Sequence, residues 1–324
     1  MTTTRTRAVA LASLLLGAGG LAGLSVPSAQ AAQPASARAH QQATAKATKP
    51  GDRLLTPADE GRISAATARQ VQGVLTSKAT QRAVAAHRGG GVIKVRAHII
   101  VGTKKRDRHR HATKRQVRQQ VKWLNLAYAG GEGPGVDTGV RFRLRSISTT
   151  KSKRWAHLRT VGQLNSMKKK LHRGGRNTLN LYFTGLPGGL LGISTFPWQN
   201  RGKRGKLLDG SVIQYSSIRG GKLAPYNEGD TVVHEVGHWL GLLHTFQGYD
   251  GNAGSGCAEP NDYVGDTPAE GEPQYQPAER DTCPAAGTDP VHNFMDYAPD
   301  YFMYQFTAGQ AARISAARAA YRAS

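Results

Sequence analysis

The stretch Thr231-Val232-Val233-His234-Glu235-Val236-Gly237-His238-Trp239-Leu240-Gly241-Leu242-Leu243-His244 constrains this chain more than any other. Read as a helix, it places His234 and His238 four residues apart, on one face and one turn from each other. That spacing lets both imidazoles reach one tetrahedral Zn²⁺ at about 2.0–2.1 Å. Glu235 lies about 100° around the helix from His234. It is therefore beside such an ion and not bonded to it, where a carboxylate can take a proton from water. Gly241 can adopt a positive φ, end the helix and turn the chain back, which brings His244 round as a third ligand. Three protein ligands with a fourth position left for water are the mark of a catalytic zinc site. A lone His-Glu-x-x-His is a weak signal, but Gly241 and His244 at fixed spacing make it a strong one. The alternative, three histidines satisfied in a core or on a surface, needs the whole pattern to arise by coincidence.

The rest of the chain supplies a setting. Its 324 residues are 39% hydrophobic, enough for one large domain or two small ones. Residues 1–31 read as an export signal: Arg5 and Arg7, an uncharged run from Ala8 to Val26, Pro27, and the small-x-small site Ala29-Gln30-Ala31. A single membrane anchor is the alternative, but the run is rich in Ala and Gly and only weakly hydrophobic. A secreted, extracellular protein without stable membrane insertion is expected. Residues 32–89 form a flexible leader or pro-segment, with almost nothing to bury from Ala32 to Pro50. Thr56-Pro57-Ala58-Asp59 predicts a helix start, with Ile63, Val71, Val74 and Leu75 on one apolar face. This segment has no Cys, so a thiol cannot be what silences a downstream metal site.

A compact domain is expected over 90–324. Ile93 to Val101, Val140 to Ile147, Thr178 to Phe183, Leu190 to Phe196 and Ser211 to Tyr215 read as strands. Thr113 to Tyr128 repeats apolar residues near a 3.6 period and reads as an amphipathic helix. Strand, helix, further strands and then a helix indicate an α/β or α+β layer architecture. Two cysteines exclude a disulfide-rich scaffold, a cysteine zinc finger and an iron–sulfur protein. In a secreted chain a Cys257–Cys283 disulfide follows.

Charge gives a rival reading. The net charge of +23 divides unevenly: residues 32–222 hold 38 basic and 7 acidic side chains, and 223–324 hold 4 basic and 14 acidic. Runs such as Lys104-Lys105-Arg106, Lys151-Ser152-Lys153-Arg154 and Lys168-Lys169-Lys170 suit a basic surface- or polyanion-binding secreted protein in which the zinc site is secondary. The bland alternative is a solvated face. No nucleic-acid motif is present, so no specific nucleic acid is expected.

The zinc stretch also resembles the extended signature of the metzincin metalloproteases, and other segments are similar to their pappalysin (cytophagalysin) branch. These are Leu190-Leu191-Gly192 with Phe196-Pro197, Asp209-Gly210-Ser211, Thr245-Phe246-Gln247-Gly248, and Asp262-Tyr263-Val264-Gly265-Asp266-Thr267-Pro268. Asn293-Phe294-Met295-Asp296-Tyr297 resembles the family's Met-turn and Phe306-Thr307-Ala308-Gly309-Gln310 its final helix start. The resemblance implies an α+β fold: a mixed twisted sheet with two long helices, an upper subdomain over 90–241 that ends in the zinc helix, and an irregular lower subdomain over 242–324. It implies a zinc metalloendopeptidase acting on protein or peptide substrates, with Glu235 as base and Tyr297 bonding the oxyanion. Met295 would be an apolar floor under the ligands. Leu191 and Gly192 would lie on a cleft edge that pairs with substrate. Tyr301 occupies the place of an acid that sets a basic P1′ preference in related enzymes, with Asp300 adjacent as a substitute. A family cysteine is replaced by Phe302, before Met303, so a second disulfide is missing. Asp262, Asp266 and Thr267, with Asp250, Glu259 and Asn261 nearby, suit Ca²⁺, which is common in the family; a solvated acidic loop is the alternative.

Overall fold

The computed structural model describes residues 53–61, 63–86, 91–107, 110–131, 133–258 and 260–322. The export signal expected at 1–31, the leader from Ala32 to Pro50, and Glu259 lie outside the described residues. The described elements begin with helices α1 (Ala65–Leu75) and α2 (Lys78–Ala86), then strand β1 (Val92–Val101), helix α3 (Lys114–Tyr128) and strand β2 (Arg141–Lys151). Helix α4 (Val161–Leu171), strands β3 (Thr178–Thr184) and β4 (Gly192–Ser194), short helix α5 (Gly202–Leu207) and strand β5 (Ser211–Gln214) follow. Helix α6 (Asp230–Trp239) carries the zinc motif, and α7 (Ala308–Ala317) comes near the C-terminus.

The five strands form one mixed sheet in the order β2-β1-β3-β5-β4, parallel except for β4, which runs antiparallel to β5 at the edge. Successive side chains on a strand point to opposite faces, and this alternation builds two cores. Ile93, Val95, Ala97, Leu179, Leu181 and Phe183 pack against α3 and α6, while Tyr182 and Val212 face Leu158, Leu164 and Met167 on the other side. Strand β3 is buried along its whole length, as expected for a central parallel strand covered on both faces.

Helices α3 and α6 are tied by polar contacts as well as packing. The Tyr128 hydroxyl donates to Val233 O (3.1 Å), Gln120 Nε2 to Gly229 O (2.9 Å) and Trp123 Nε1 to Asp230 Oδ1 (2.6 Å). The start of α3 follows the sequence reading, because Thr113 and Gln116 form a capping box.

Two expectations change. Thr56-Pro57-Ala58-Asp59 starts only one 3₁₀ turn, Pro57–Asp59, and α1 begins at Ala65 with Ser64 as its cap. The reason is Gly61, whose φ of +60° turns the chain out of helical geometry. The strand expected from Leu190 to Phe196 shrinks to Gly192–Ser194. Within the 32–89 leader, the described part is packed: Ala68, Val71 and Leu75 of α1 are buried against Phe196, Trp198, Leu243, Ala317 and Tyr321. Beyond α6, Cys257 and Cys283 are joined in a disulfide with Cα atoms 5.4 Å apart.

Candidate metal centre

All four candidate residues of the motif are buried: His234, Glu235 and His238 on α6, and His244 just beyond it. The turn between helix and third histidine depends on Gly241. Its φ is +101°, Leu242 N donates to Gly237 O (3.0 Å), and a Cβ at 241 would sit 2.7 Å from that of Ala317. Backbone conformation and close packing therefore both require glycine there.

The imidazoles are oriented by their second nitrogen. His234 Nδ1 lies 2.7 Å from Phe294 O, and His238 Nδ1 lies 2.9 Å from Leu242 O. A carbonyl oxygen only accepts, so each Nδ1 carries the proton and donates it, and each Nε2 keeps a free lone pair. His244 is held by stacking on Phe246, with ring centres 4.6 Å apart. Burial lowers the pKa of His238, and that of His244 to about 4, which favours neutral rings able to act as ligands.

These lone pairs converge on a carboxylate from far away in sequence. Glu60 Oε1 is 3.0 Å from His234 Nε2, 2.9 Å from His238 Nε2 and 3.1 Å from His244 Nε2, and the last two nitrogens are 3.1 Å apart. A tetrahedral shell with bonds of about 2.0 Å has edges of about 3.3 Å, so four ligand atoms at these separations fit a zinc-sized cation. Lone pairs this close to a carboxylate oxygen repel unless a positive charge lies among them. Among the described residues this is the one convergent group of three or more His, Cys, Asp or Glu side chains.

Glu235 stands beside the group. A Cβ on Gly192 would come within 2.2 Å of its Oε1, so only glycine at that point of β4 leaves room for the carboxylate. Its Oε2 is buried without a hydrogen-bond partner. Burial, then the Glu60 charge, raise its pKa well above the ordinary carboxylate range. The Ser194 hydroxyl donates to the Glu235 carbonyl (2.5 Å), which ties β4 to α6. Among the described strands β4 has only β5 as a partner, so its other edge is left unpaired. Met295 lies under the helix: a Cβ on Gly237 would be 2.4 Å from its Sδ. The Tyr297 hydroxyl donates to Glu60 Oε2 and lies 3.2 Å from His244 Nε2.

The other expected residues have different surroundings. Tyr301 is 59% exposed. Asp300, the expected substitute acid, has its Oδ1 buried without a hydrogen-bond partner. It is buried, and its Oδ2 accepts from the N–H groups of Glu228 (2.7 Å) and Gly229 (2.9 Å) just before α6. Asp266 likewise accepts from Thr307 Oγ1 (2.7 Å) and Gly309 N (2.8 Å) at the start of α7. Asp262 Oδ1 accepts from Val264 N (2.9 Å), but its Oδ2, Asn261 Oδ1 and Thr267 Oγ1 are buried without partners. Burial pushes Asp262 up to about 8. Asp250 is exposed and bonds its own turn.

Sequence reading missed Glu60 and Gly237, and it placed in a basic surface run a residue that is buried, Lys168. The last is a buried lysine whose Nζ donates to Thr195 Oγ1 (2.9 Å) and Gly210 O (2.7 Å) beneath the cleft strand. Glu60 follows directly on the Thr56–Asp59 turn, but nothing local marks a single acid as a partner of histidines 174 to 184 residues away.

Residues 220–319, which include all three histidines, Glu235 and Tyr297, match the peptidase M43 family model, described as pregnancy-associated plasma protein-A. An extracellular metalloprotease 1 of Coccidioides posadasii is 39% identical over 226 residues, which cover 69% of this chain and 76% of that protein. The chain belongs to the pappalysin family of metzincin metalloproteases. An extracellular metalloprotease of Sordaria macrospora is 40% identical over 66% of this pappalysin and 70% of its own length. Among solved structures, mature mirolysin of Tannerella forsythia in complex with a cleaved peptide is 27% identical. It covers 69% of this chain and 90% of its own, with a TM-score of 0.56. The chain is thus a protease, with the mixed α/β fold expected of a metzincin.

Proposed function

We propose that this pappalysin is a secreted zinc endopeptidase in which Glu235 is the general base. The observation that carries the reading is the set of three imidazoles, two with Nδ1 held by a carbonyl, whose Nε2 atoms converge at one point. His234, His238 and His244 would hold the zinc, which supplies Lewis acidity, polarising the scissile carbonyl and bringing the pKa of water down to about 7. Glu235 takes the proton of the attacking water and passes it to the leaving amine nitrogen. Tyr297 donates its hydroxyl to the carbonyl oxygen as that atom gains charge. The open edge of β4 at Leu191 and Gly192 pairs with an extended substrate backbone. Secretion rests on the 1–31 export pattern and the extracellular relatives; among the described residues no helix is long and apolar enough to cross a membrane.

The test is a peptide-library digest with protein recovered from the medium, beside Glu235→Ala. The variant is expected to keep its zinc and lose about 10²–10⁴-fold in turnover. Substantial turnover without Glu235 would end its role as base. The same digest reads the P1′ preference, for which Asp300 supplies no exposed acid.

The orphaned oxygens of Asp262, Asn261 and Thr267 support calcium as a second, structural ion, because a buried carboxylate oxygen without a partner is costly unless a cation meets it. An accessory role for the basic half rests on one placement: Lys94 and Arg143 are direct cross-strand neighbours on β1 and β2, both exposed. Like charges in that position are unfavourable by themselves and suit an anionic polymer. Lys94→Glu with Arg143→Glu should lower the salt needed to elute the protein from a polyanion matrix and leave peptide hydrolysis unchanged; unaltered elution would return this face to ordinary solvation.

A further inference from the structure

We propose that Glu60 is the fourth ligand of the metal in a latent form of this protease, and that residues 53–86 are a built-in inhibitor which must leave the cleft before a peptide can enter. The proposal deepens the zinc-protease reading and rests on it. The Glu60 carboxylate takes the position that the catalytic reading leaves to water: its Oε1 is within 3.1 Å of all three Nε2 atoms, and its Oε2 accepts the Tyr297 hydroxyl. One side chain thus occupies both the ligand position and the donor that would meet the substrate oxygen. The backbone follows closely. Gly61 lies so near the ligands that a Cβ there would be 2.2 Å from His244 Cε1 and 2.7 Å from His238 Nε2. No peptide can pass over the metal while Gly61 is in place.

Both flanks of the latch are anchored, so Glu60 is delivered with little freedom. Upstream, Leu55 N donates to Arg159 O (2.8 Å) and Val161 N to Arg53 O (3.0 Å), and Leu55 is buried among Leu158, Leu164 and Tyr182. Within the turn, Asp59 accepts from Thr56 N (2.8 Å) and pairs with Arg53. Downstream, α1 buries Ala68, Val71 and Leu75, and Arg313 links Gln72 Oε1 (2.7 Å) to Gly241 O (2.8 Å) at the end of the zinc helix. The segment therefore crosses from one side of the cleft to the other with the carboxylate over its centre. A carboxylate does here what the absence of any Cys in this segment denies to a thiol.

The test uses the full chain loaded with Co²⁺, whose visible absorption reports the ligand set. Glu235→Ala is present so that no self-cleavage occurs, and mass spectrometry confirms that the chain is intact. Adding Glu60→Ala or Glu60→Gln should change the cobalt spectrum and speed metal loss to a chelator; an unchanged spectrum in both variants overturns the proposal. In the Glu235 background, Glu60→Ala should hydrolyse peptide about tenfold or more faster than the intact parent, because turnover scales with the fraction of open clefts. Equal rates overturn latency. A changed spectrum with no hydrolysis in any form would keep Glu60 as a ligand and sink the protease reading instead.

Discussion

The two polar centres of this molecule are built on opposite plans. At the histidine site, two ligand rings have their second nitrogen bonded to a backbone carbonyl, and every lone pair points to one place. In the 261–267 loop, Asp262 Oδ2 and Asn261 Oδ1 are buried without a hydrogen-bond partner, and the nearest opposite charge acting on Asp262 is Arg313. The first site is a converged ligand set; the second carries a desolvation cost that the proposed calcium would offset. The difference teaches where each ion's contribution goes. On the proposed reading the first ion would serve chemistry and the second stability.

The largest expected effect separates the two directly. His238→Ala should lose bound zinc and at least about 10³-fold in peptide hydrolysis, since the bound ion is what makes water nucleophilic at neutral pH. Asp262→Ala should keep both. Metal analysis beside a peptide assay decides this, and equal zinc loss in the two variants would make them one coupled site.

A second, intermediate effect is a pH dependence. Burial raises the Asp262 carboxyl to about 8, whereas an exposed one titrates near 4. Below about pH 4 both folded and unfolded chains carry the proton, so this residue costs nothing there. As pH rises through the window from about 4 to about 8, the unfolded chain releases the proton and the folded chain resists. Stability contributed by the neutral form is lost, by a few kcal/mol at most. Calcium should reverse this loss at pH 8 and do little at pH 4. Thermal melts with calcium or with a calcium-selective chelator at the two pH values measure it. A calcium response of the same size at both would remove Asp262 from the site.

How much of this was legible in the sequence follows from distance along the chain. The histidine site was readable because its spacing is local: three ligands and the base fall within eleven residues, and Gly241 marks the turn. β1 and α3 were readable for the same reason, through alternation and a 3.6-residue apolar period. Glu60 was not, because its role arises only when a segment 174 residues upstream folds across the cleft. The turn residues Thr56 and Pro57 suggested a helix, and only the φ of Gly61 in the folded chain shows why the helix waits until Ala65. Acids were hardest to assign. Asp262, Asp266 and Asp300 look alike in sequence, yet Asp266 and Asp300 accept from N–H groups at helix starts, while Asp262 and Asp300 each keep one buried oxygen without a hydrogen-bond partner.

That distinction sets the smallest prediction. Asp266 accepts from Thr307 and Gly309, so its carboxylate satisfies donors that open α7 and sits at the favourable end of the helix dipole. Asp266→Ala should therefore cost about 1 kcal/mol, the usual loss for a helix cap, and leave the calcium response intact. Asp262→Asn keeps the size of the side chain and removes its charge. It should abolish both the calcium response and the loss of stability toward pH 8, because an amide has no proton to release and attracts a cation less. Denaturant unfolding of the two variants, each with and without calcium, reads both numbers. If Asp266→Ala lost the calcium response as well, the capping carboxylate would belong to the ion, and the contrast between the two centres would narrow to the histidines alone.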